Sequence, residues 1–181
     1  MGFLNSTHNI NLSCPINQLG YGVTGLNLSK ALSDLKQTVA LFVIGNVEAP
    51  EQYHEDLKQM ISNSRMPDWN APSIRVWHQH EMTQFVGRGE KYGFPIFELD
   101  KFTDLEKHHL AYLDKWFVTS EWSKSILVDQ LKSINGEDHM NEKTSVIPLG
   151  VDRSIFRESV SHRPETIFYN CGKWEVRKGH D

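Results

Sequence analysis

Apolar and polar residues follow one another along the chain with two different periodicities. Residues 38–45, TVALFVIG, form a continuous apolar and β-branched run, which is typical of a strand buried on both faces of a parallel sheet. Residues 25–35 instead carry leucine and alanine at i, i+3, i+4 and i+7, the spacing of one helical face. Strands and helices are therefore expected to alternate.

Other segments extend this alternation. Further strands are predicted at 10–16, 73–80, 116–120 and 144–150, with 94–99 as a short strand or a turn, and further helices at 50–64, 104–115 and 121–134. The polar residues 136–143 are predicted to form a surface loop. Strands that alternate with helices of this length predict βαβ units, and therefore a doubly wound, mostly parallel α/β sheet of the Rossmann-like type.

This domain is expected to span residues 1–150. Residues 151–165 are irregular, charged and contain proline, and we interpret them as an interdomain linker. The apolar run that begins at 166 starts a new element, so residues 166–181 are interpreted as the beginning of a second domain.

The charge balance narrows the classes of partner. The 181 residues include 19 lysines and arginines and 23 aspartates and glutamates. This balance argues against a nucleic-acid partner, which normally requires a basic face. No apolar run is long enough to cross a bilayer, so we expect a cytoplasmic protein that contacts membranes only peripherally, if at all. Cys14 and Cys171 lie far apart in apolar runs and are expected to be reduced and buried.

The segment GYGVTG places Gly20, Gly22 and Gly25 between the first predicted strand and the first predicted helix. Glycines at this spacing let the backbone approach a phosphate or a sugar at a helix N-terminus, or simply let the helix pack closely on the strand. A nicotinamide cofactor would also need an acidic residue at the end of the second strand. Gly45 and Asn46 occupy that place, so nicotinamide binding is the weaker interpretation.

Histidines and a carboxylate follow two of the predicted strands. WHQHE ends one strand, where ligands bind in open α/β sheets, and His80 is the candidate catalytic residue there, with His78 beside it. A zinc site and purely structural hydrogen bonds are the alternatives for these histidines. Glu98, flanked by apolar residues in FPIFELD, is either paired locally or directed into a cleft, and it is the second candidate catalytic residue.

Three cations lie close together at the end of the run at 166–173 and just after it. Cations that follow a strand can bind a diphosphate, and the alternative is a solvated basic turn. The candidate diphosphate-binding residues are Lys173, Arg177 and Lys178.

Three stretches of the chain resemble a known family. VIPLGVDRSIF (146–156) and TIFYNCGKWEVRKGHD (166–181) resemble the interdomain region of retaining nucleotide-sugar glycosyltransferases of the two-domain GT-B type, family four. LDKWFVTSEWSKSIL (113–127) is similar to another segment of that family. The family pattern Pro-x-Gly-Val-Asp-x-x-x-Phe is matched by Pro148, Gly150, Val151, Asp152 and Phe156.

The resemblance implies two Rossmann-like domains facing each other across a cleft, with the acceptor on the first and the nucleotide sugar on the second. It implies that an arginine and a lysine stabilise the departing diphosphate without a metal ion. Lys178 matches the lysine, and Lys173 stands where the family has arginine. It also implies that the glycine segment approaches the diphosphate or the acceptor, and that His80 lies near the transferred sugar.

The partners implied by this resemblance are a nucleotide-diphosphate sugar and a glycan, lipid or protein acceptor, with no separate cofactor. The chain would belong to enzymes that transfer a hexosyl unit to an acceptor hydroxyl with retention. It stops where the donor-binding domain begins, so we expect a truncated and inactive fragment. The alternatives are a non-catalytic α/β module that binds a glycan or another partner and, less favoured, a nicotinamide-binding Rossmann domain.

Overall fold

The computed structural model describes residues 9–153. The chain divides into two units, Met1–Leu149 and Gly150–Asp181, and the fold described here is that of the first. Most of the predicted linker and the predicted start of a second domain lie outside the described residues. So do three candidate diphosphate-binding cations, Lys173, Arg177 and Lys178.

Residues 9–153 form six strands and five α-helices. The strands are β1 (Asn9–Ile16), β2 (Thr38–Val47), β3 (Ser73–Trp77), β4 (Lys91–Pro95), β5 (Lys115–Val118) and β6 (Thr144–Val146). The helices are α1 (Gly20–Asp34), α2 (His54–Asn63), α3 (Asp104–Ala111), α4 (Glu121–Asn135) and α5 (Glu137–Lys143). Short 3-10 turns at Glu51–Tyr53 and Gln79–Glu81 precede α2 and follow β3.

The strands form one sheet in the order β2-β1-β3-β4-β5-β6, and every neighbouring pair is parallel. The predicted fold class, a parallel Rossmann-like α/β sheet, is confirmed. The chain leaves β1 for β2 on one side and then crosses back to β3 on the other side. In open α/β sheets, ligands bind outside the carboxyl ends of the strands at such a switch point. No helix among the described residues is both long and apolar enough to cross a bilayer.

Apolar clusters lie on both faces of the sheet. Strand β5 contributes side chains to both: Trp116 and Val118 belong to one cluster, and Phe117 packs on the other. The first cluster includes Leu127 from α4. The second includes Leu57 from α2, Leu12, Cys14 and Ile16 from β1, and Val39 and Leu41 from β2. Side chains of a strand point alternately to the two faces, so both faces of the sheet are covered.

The two faces of β1 differ in chemistry. Leu12, Cys14 and Ile16 are completely buried in the apolar cluster that includes α2. Asn11 and Ser13 alternate with them and are also buried, although both are polar. Buried polar groups require hydrogen-bond partners, so one face of this central strand needs a polar covering.

Strand β3 continues the polar face. Asn11 pairs in register with Ser73, and Ser13 pairs with Arg75. All four side chains are buried. The segment between β3 and β4 covers Ser73 and Arg75, because Arg75 donates to backbone oxygens of that segment and Ser73 Oγ accepts from the Val86 N–H group. Asn11 Nδ2 instead donates to the Asp68 carbonyl oxygen in the segment before β3. A loop therefore takes the place that a helix holds elsewhere on the sheet.

Strand β2 is longer than the apolar run predicted. It continues past Gly45, which has φ of +82°, and its register against β1 shifts between Cys14 and Ile16. The prediction ended the strand at residue 45 because glycine there resembles a turn. In the structure Ile16 pairs with Val47, and the Glu48 N–H group donates to the Ile16 carbonyl oxygen at 2.8 Å.

Two segments predicted as loops are helical. Helix α1 begins at Gly20, so the glycine segment forms its first turns rather than the connection before it. Residues 136–143, predicted as a surface loop, contain α5, whose Met140 is fully buried in an apolar cluster. Because α5 has one apolar residue in a polar stretch, its sequence shows no helical periodicity. The predicted cap of α4 is confirmed, since Ser120 Oγ accepts from the Ser123 N–H group at 3.2 Å.

Candidate functional site

A cluster of aromatic and histidine side chains lies where β1, β3 and β4 end. Tyr21 is in the first turn of α1, directly after the β1 connection. His78 follows β3, and Ile96 follows β4. These strands lie side by side, and the switch point lies between the first two. The cluster therefore occupies the edge at which this fold class binds ligands.

The Tyr21 hydroxyl makes two hydrogen bonds that join the three strand ends. It donates to the Ile96 carbonyl oxygen at 2.8 Å, and it lies 2.9 Å from His78 Nδ1. The Ile96 N–H group in turn donates to the Trp77 carbonyl oxygen at 3.1 Å. The phenol is thus held by partners that are 57 and 75 residues away along the chain.

Three aromatic rings surround the His78 imidazole. The Tyr21 ring lies 4.5 Å from it between centroids, and the Trp77 ring meets it edge-on at 5.0 Å. The ring of His80 stacks on it at 5.2 Å with an interplanar angle of 16°. Contacts on several sides fix the orientation of the imidazole.

The electrostatics of the cluster keep His78 and Tyr21 uncharged near neutral pH. Burial and the neighbouring charge of His80 hold the pKa of His78 below its usual value, and Glu81 opposes this shift only in part. Burial and, secondarily, the charge of Glu98 raise the pKa of Tyr21 to about 12. The hydrogen-bonded pair is therefore a neutral imidazole and a neutral phenol.

Arg75 fixes the backbone that follows β3. Its side chain is 3% exposed, and Nε donates to the Glu81 carbonyl oxygen at 2.8 Å. The terminal nitrogens donate to Ser13 Oγ at 3.0 Å, to the Gln84 carbonyl oxygen at 3.3 Å and to its side-chain oxygen at 3.2 Å. The guanidinium therefore ties β1 to the turn that contains His80.

The Glu81 carboxylate completes this connection. It lies 3.8 Å from the Arg75 guanidinium and accepts a hydrogen bond from Trp77 Nε1 at 2.7 Å. Burial lowers the pKa of Arg75, and the charge of Glu81 opposes that shift. Glu81 therefore orients one of the rings that enclose His78 and partly neutralises the buried cation.

His80 lies in the 3-10 turn Gln79–Glu81, and its imidazole is exposed. Helix α3 holds this turn from the other side, because Gln79 Nε2 donates to Glu106 Oε1 at 2.9 Å. Glu106 also forms a capping box with Thr103 at the start of α3. Burial of the carboxylate raises the pKa of Glu106, but the hydrogen bonds from Thr103 and Gln79, together with the charge of His80, outweigh burial and lower that pKa.

Glu98 lies in the irregular segment after β4 and is exposed. Its charge acts on the Tyr21 hydroxyl, so it belongs to the same edge of the sheet. The structure therefore brings the two predicted catalytic residues, His80 and Glu98, to the rim of the cluster formed by Tyr21 and His78.

The three glycines of the predicted phosphate or sugar loop have different surroundings. A Cβ on Gly22 would overlap Asn17, and one on Gly25 would overlap the Pro15 carbonyl oxygen. These two glycines are buried and allow α1 to pack closely on the end of β1. Gly20 has open space beside it. Of the three glycines, it is therefore the one whose backbone is accessible to a ligand.

Sequence reasoning missed Tyr21 and Arg75. A single tyrosine inside a glycine-rich segment has no periodic signal, and an arginine inside a strand resembles an outward-facing residue. Three aromatic side chains in this part of the chain pack within the domain: Trp77 and Phe85 pack against an apolar cluster, and Tyr92 contacts Phe117. Trp77 also contacts the cluster at the carboxyl edge.

Other features of the described residues lie away from this cluster. A groove of about 470 Å³ lies at the opposite, amino edge of the sheet, where Asn9 and Thr38 begin their strands. It is lined by neither a histidine nor any of the predicted site residues. Within residues 9–153, no group of three histidine, cysteine, aspartate or glutamate side chains is arranged to hold a metal ion.

Comparison of the chain with models of known protein families, with curated proteins and with solved structures gives no match. The chemistry of the carboxyl edge is therefore interpreted from its own geometry. That edge presents a neutral imidazole, a neutral phenol, a second imidazole and a carboxylate in an aromatic setting. Such groups suit a ligand rich in hydroxyl groups.

Proposed function

We propose that residues 9–149 form the acceptor-side domain of a retaining nucleotide-sugar glycosyltransferase. The observation that carries the proposal is the hydrogen-bonded pair of Tyr21 and His78 at the switch point of a parallel sheet. The sequence resemblance of 146–156 and 166–181 supports the same assignment independently, because it involves other residues.

The proposed ligand follows from the chemistry of the cluster. A sugar presents several hydroxyl groups and an apolar ring face, and both features need partners in a binding site. Neutral His78 can accept a hydrogen bond. At the rim, His80 can donate or accept one and the Glu98 carboxylate can accept one. Trp77 and Tyr21 supply aromatic surface beside these groups.

In the proposed reaction, the bond between the anomeric carbon and the diphosphate oxygen breaks. A bond forms between that carbon and the acceptor oxygen on the same face of the sugar. The acceptor proton leaves with the departing diphosphate, so the reaction is balanced without a redox partner. Lys173, Arg177 and Lys178 are the proposed cations for the diphosphate, where placed positive charge stabilises the developing negative charge.

A second candidate function is nucleotide binding of the Rossmann type. The structure favours it more than the sequence does, because β2 extends to Val47 and Glu48 directly follows the strand. An acidic residue at that place holds ribose hydroxyls in dinucleotide-binding domains. Gly25 also allows the close contact of α1 with β1 that those domains require.

Binding of nucleotide sugars and methyl glycosides to the whole chain tests the proposal, with isothermal titration calorimetry and ¹H–¹⁵N spectra as readouts. We expect a sugar to shift the signals of Tyr21 and His78, and we expect His78→Ala to abolish that shift. His108→Ala is the matched control, because His108 is exposed on α3. If no sugar perturbs this edge, or if the control loses binding equally, the proposal is wrong.

The same titrations separate the candidates. Reduced nicotinamide dinucleotide should leave its own fluorescence unchanged if the glycosyltransferase proposal holds. A fluorescence change that is lost in Glu48→Gln would instead support the dinucleotide-binding candidate. Binding of glycosides without any binding of nucleotide sugars would support a non-catalytic glycan-binding module.

A further inference from the structure

The Tyr21 phenol has a single proton, and its two hydrogen bonds therefore cannot both use that proton. The Ile96 carbonyl oxygen can only accept, so the 2.8 Å bond to it takes the phenolic proton. The phenolic oxygen must then accept the 2.9 Å bond from His78 Nδ1. Nδ1 accordingly carries a hydrogen atom.

The Ile96 carbonyl is a fixed partner for this arrangement. The N–H group of the same residue donates to the Trp77 carbonyl oxygen at the end of β3, which ties Ile96 to the adjacent strand. This bond keeps Ile96 beside the first turn of α1, where its carbonyl oxygen accepts from Tyr21. Rotation of the phenolic proton towards His78 would leave two oxygens facing each other without a hydrogen atom between them.

We propose that Tyr21 is a positioning residue that holds His78 in the Nδ1–H tautomer and so makes Nε2 a hydrogen-bond acceptor at the carboxyl edge. Within residues 9–153, the structure gives Nε2 no hydrogen-bond partner. The rings of Trp77 and His80 restrict rotation of the imidazole, so Nε2 keeps its direction. The lowered pKa of His78 is consistent with a free lone pair near neutral pH.

A fixed acceptor selects the chemical class of its ligand. A hydroxyl or amine group can donate to the Nε2 lone pair, whereas a phosphate oxygen meets that lone pair with one of its own. The part of the ligand that contacts His78 is therefore a hydroxyl-type donor and not the diphosphate. The identification of this ligand as a sugar rests on the proposed function. The tautomer does not, because it follows from the hydrogen bonds alone.

Long-range ¹H–¹⁵N correlation spectra of protein labelled with ¹⁵N-histidine measure the tautomer directly, because protonated and unprotonated ring nitrogens resonate far apart. We expect Nδ1 of His78 to have the signal of a protonated nitrogen and Nε2 that of an unprotonated one above pH 7. In Tyr21→Phe, we expect the two signals to move towards the average of both tautomers. In Tyr112→Phe, whose tyrosine directly follows α3 and is exposed, we expect no change.

Several outcomes overturn the inference. A wild-type His78 protonated at Nε2 contradicts it without any variant. Unchanged signals in Tyr21→Phe, in a protein whose amide spectrum shows the native fold, would show that Tyr21 does not set the tautomer. A confirmed tautomer together with no binding of any sugar would retain this inference and reject the proposed function, so the two failures are distinguishable.

Discussion

Both faces of the central strands β1 and β3 are buried, but different interactions stabilise them. One face places Leu12, Cys14 and Ile16 against an apolar cluster, where burial without directional bonds stabilises the domain. The other face places Ser13 and Arg75 under a loop, where the partners are defined by hydrogen bonds. The first arrangement tolerates repacking, whereas the second fixes particular backbone atoms in place.

This difference explains where the candidate site lies. The polar face holds the turn that contains His80 and Glu81, because Arg75 donates to the Glu81 carbonyl oxygen. The apolar face holds α1, whose first turn supplies Tyr21. The candidate site forms at the carboxyl ends of the strands, where Tyr21 of α1 from one face meets the turn held on the other face.

Replacement of Arg75 should give the largest effect. Arg75→Met leaves several buried acceptors unpaired, and we expect a loss of about 3–5 kcal/mol in the free energy of unfolding. It should also displace the histidine signals of His78 and His80. Urea denaturation and ¹H–¹⁵N spectra measure the two effects.

Leu12→Ala on the opposite face is the comparison for that variant. It should cost about 2–5 kcal/mol through lost burial and a cavity, yet leave the histidine signals almost unchanged in the folded state. If both variants displace the signals equally, the two faces do not have separate roles.

Arg75→Lys should recover part of the stability but not the hydrogen-bond geometry, because lysine lacks the guanidinium fork.

The glycines of α1 give a smaller and sharper test of the apolar face. Gly25→Ala forces a methyl group against the Pro15 carbonyl oxygen and Cys14, and should cost about 1–3 kcal/mol. Gly20→Ala is the matched control, since open space surrounds that position. It should be neutral or stabilising by up to about 1 kcal/mol. Thermal unfolding compares the pair, and equal losses would exclude the packing explanation.

The buried thiol of Cys14 should make stability depend on alkaline pH. Burial raises its pKa from the ordinary thiol value of 9.0 to about 12 in the folded protein. Between these values the unfolded chain has lost a proton that the folded protein still holds. Stability should therefore fall as pH rises above about 9, by at most about 1.4 kcal/mol per pH unit.

Cys14→Ala isolates this contribution, because alanine cannot titrate. The variant should be less stable at pH 8 but should lose stability less steeply between pH 9 and 10 in urea denaturation. Parallel pH dependences in the two proteins would show that the thiol is not responsible.

The fold could be predicted because its signals are local and repeated. The continuous run that became β2 and the helical spacing in α1 each follow from periodicity within about ten residues. Their boundaries were misplaced for one reason. Glycine at 20 and 45 suggested a loop, but tertiary contacts and hydrogen bonds extended the helix and the strand through these positions.

The site could be predicted only in part. Strand ends and residue chemistry indicated His80 and Glu98, because both signals are present in the sequence. The pairing of Tyr21 with His78 joins residues 57 positions apart and depends on which strands are neighbours. No spacing rule encodes that contact. The buried Arg75 is similar, since its partners are chiefly backbone atoms of a loop.

The central claim is that a sugar hydroxyl group contacts His78. The ¹⁵N signal of His78 Nε2 tests it most directly, during titration with methyl glycosides, nucleotide sugars and inorganic pyrophosphate. A hydroxyl-binding edge predicts that sugar-containing ligands shift this signal in a saturable way and that pyrophosphate does not. A saturable shift with pyrophosphate, or no shift with any sugar, would contradict a sugar-binding role for the carboxyl edge of this sheet.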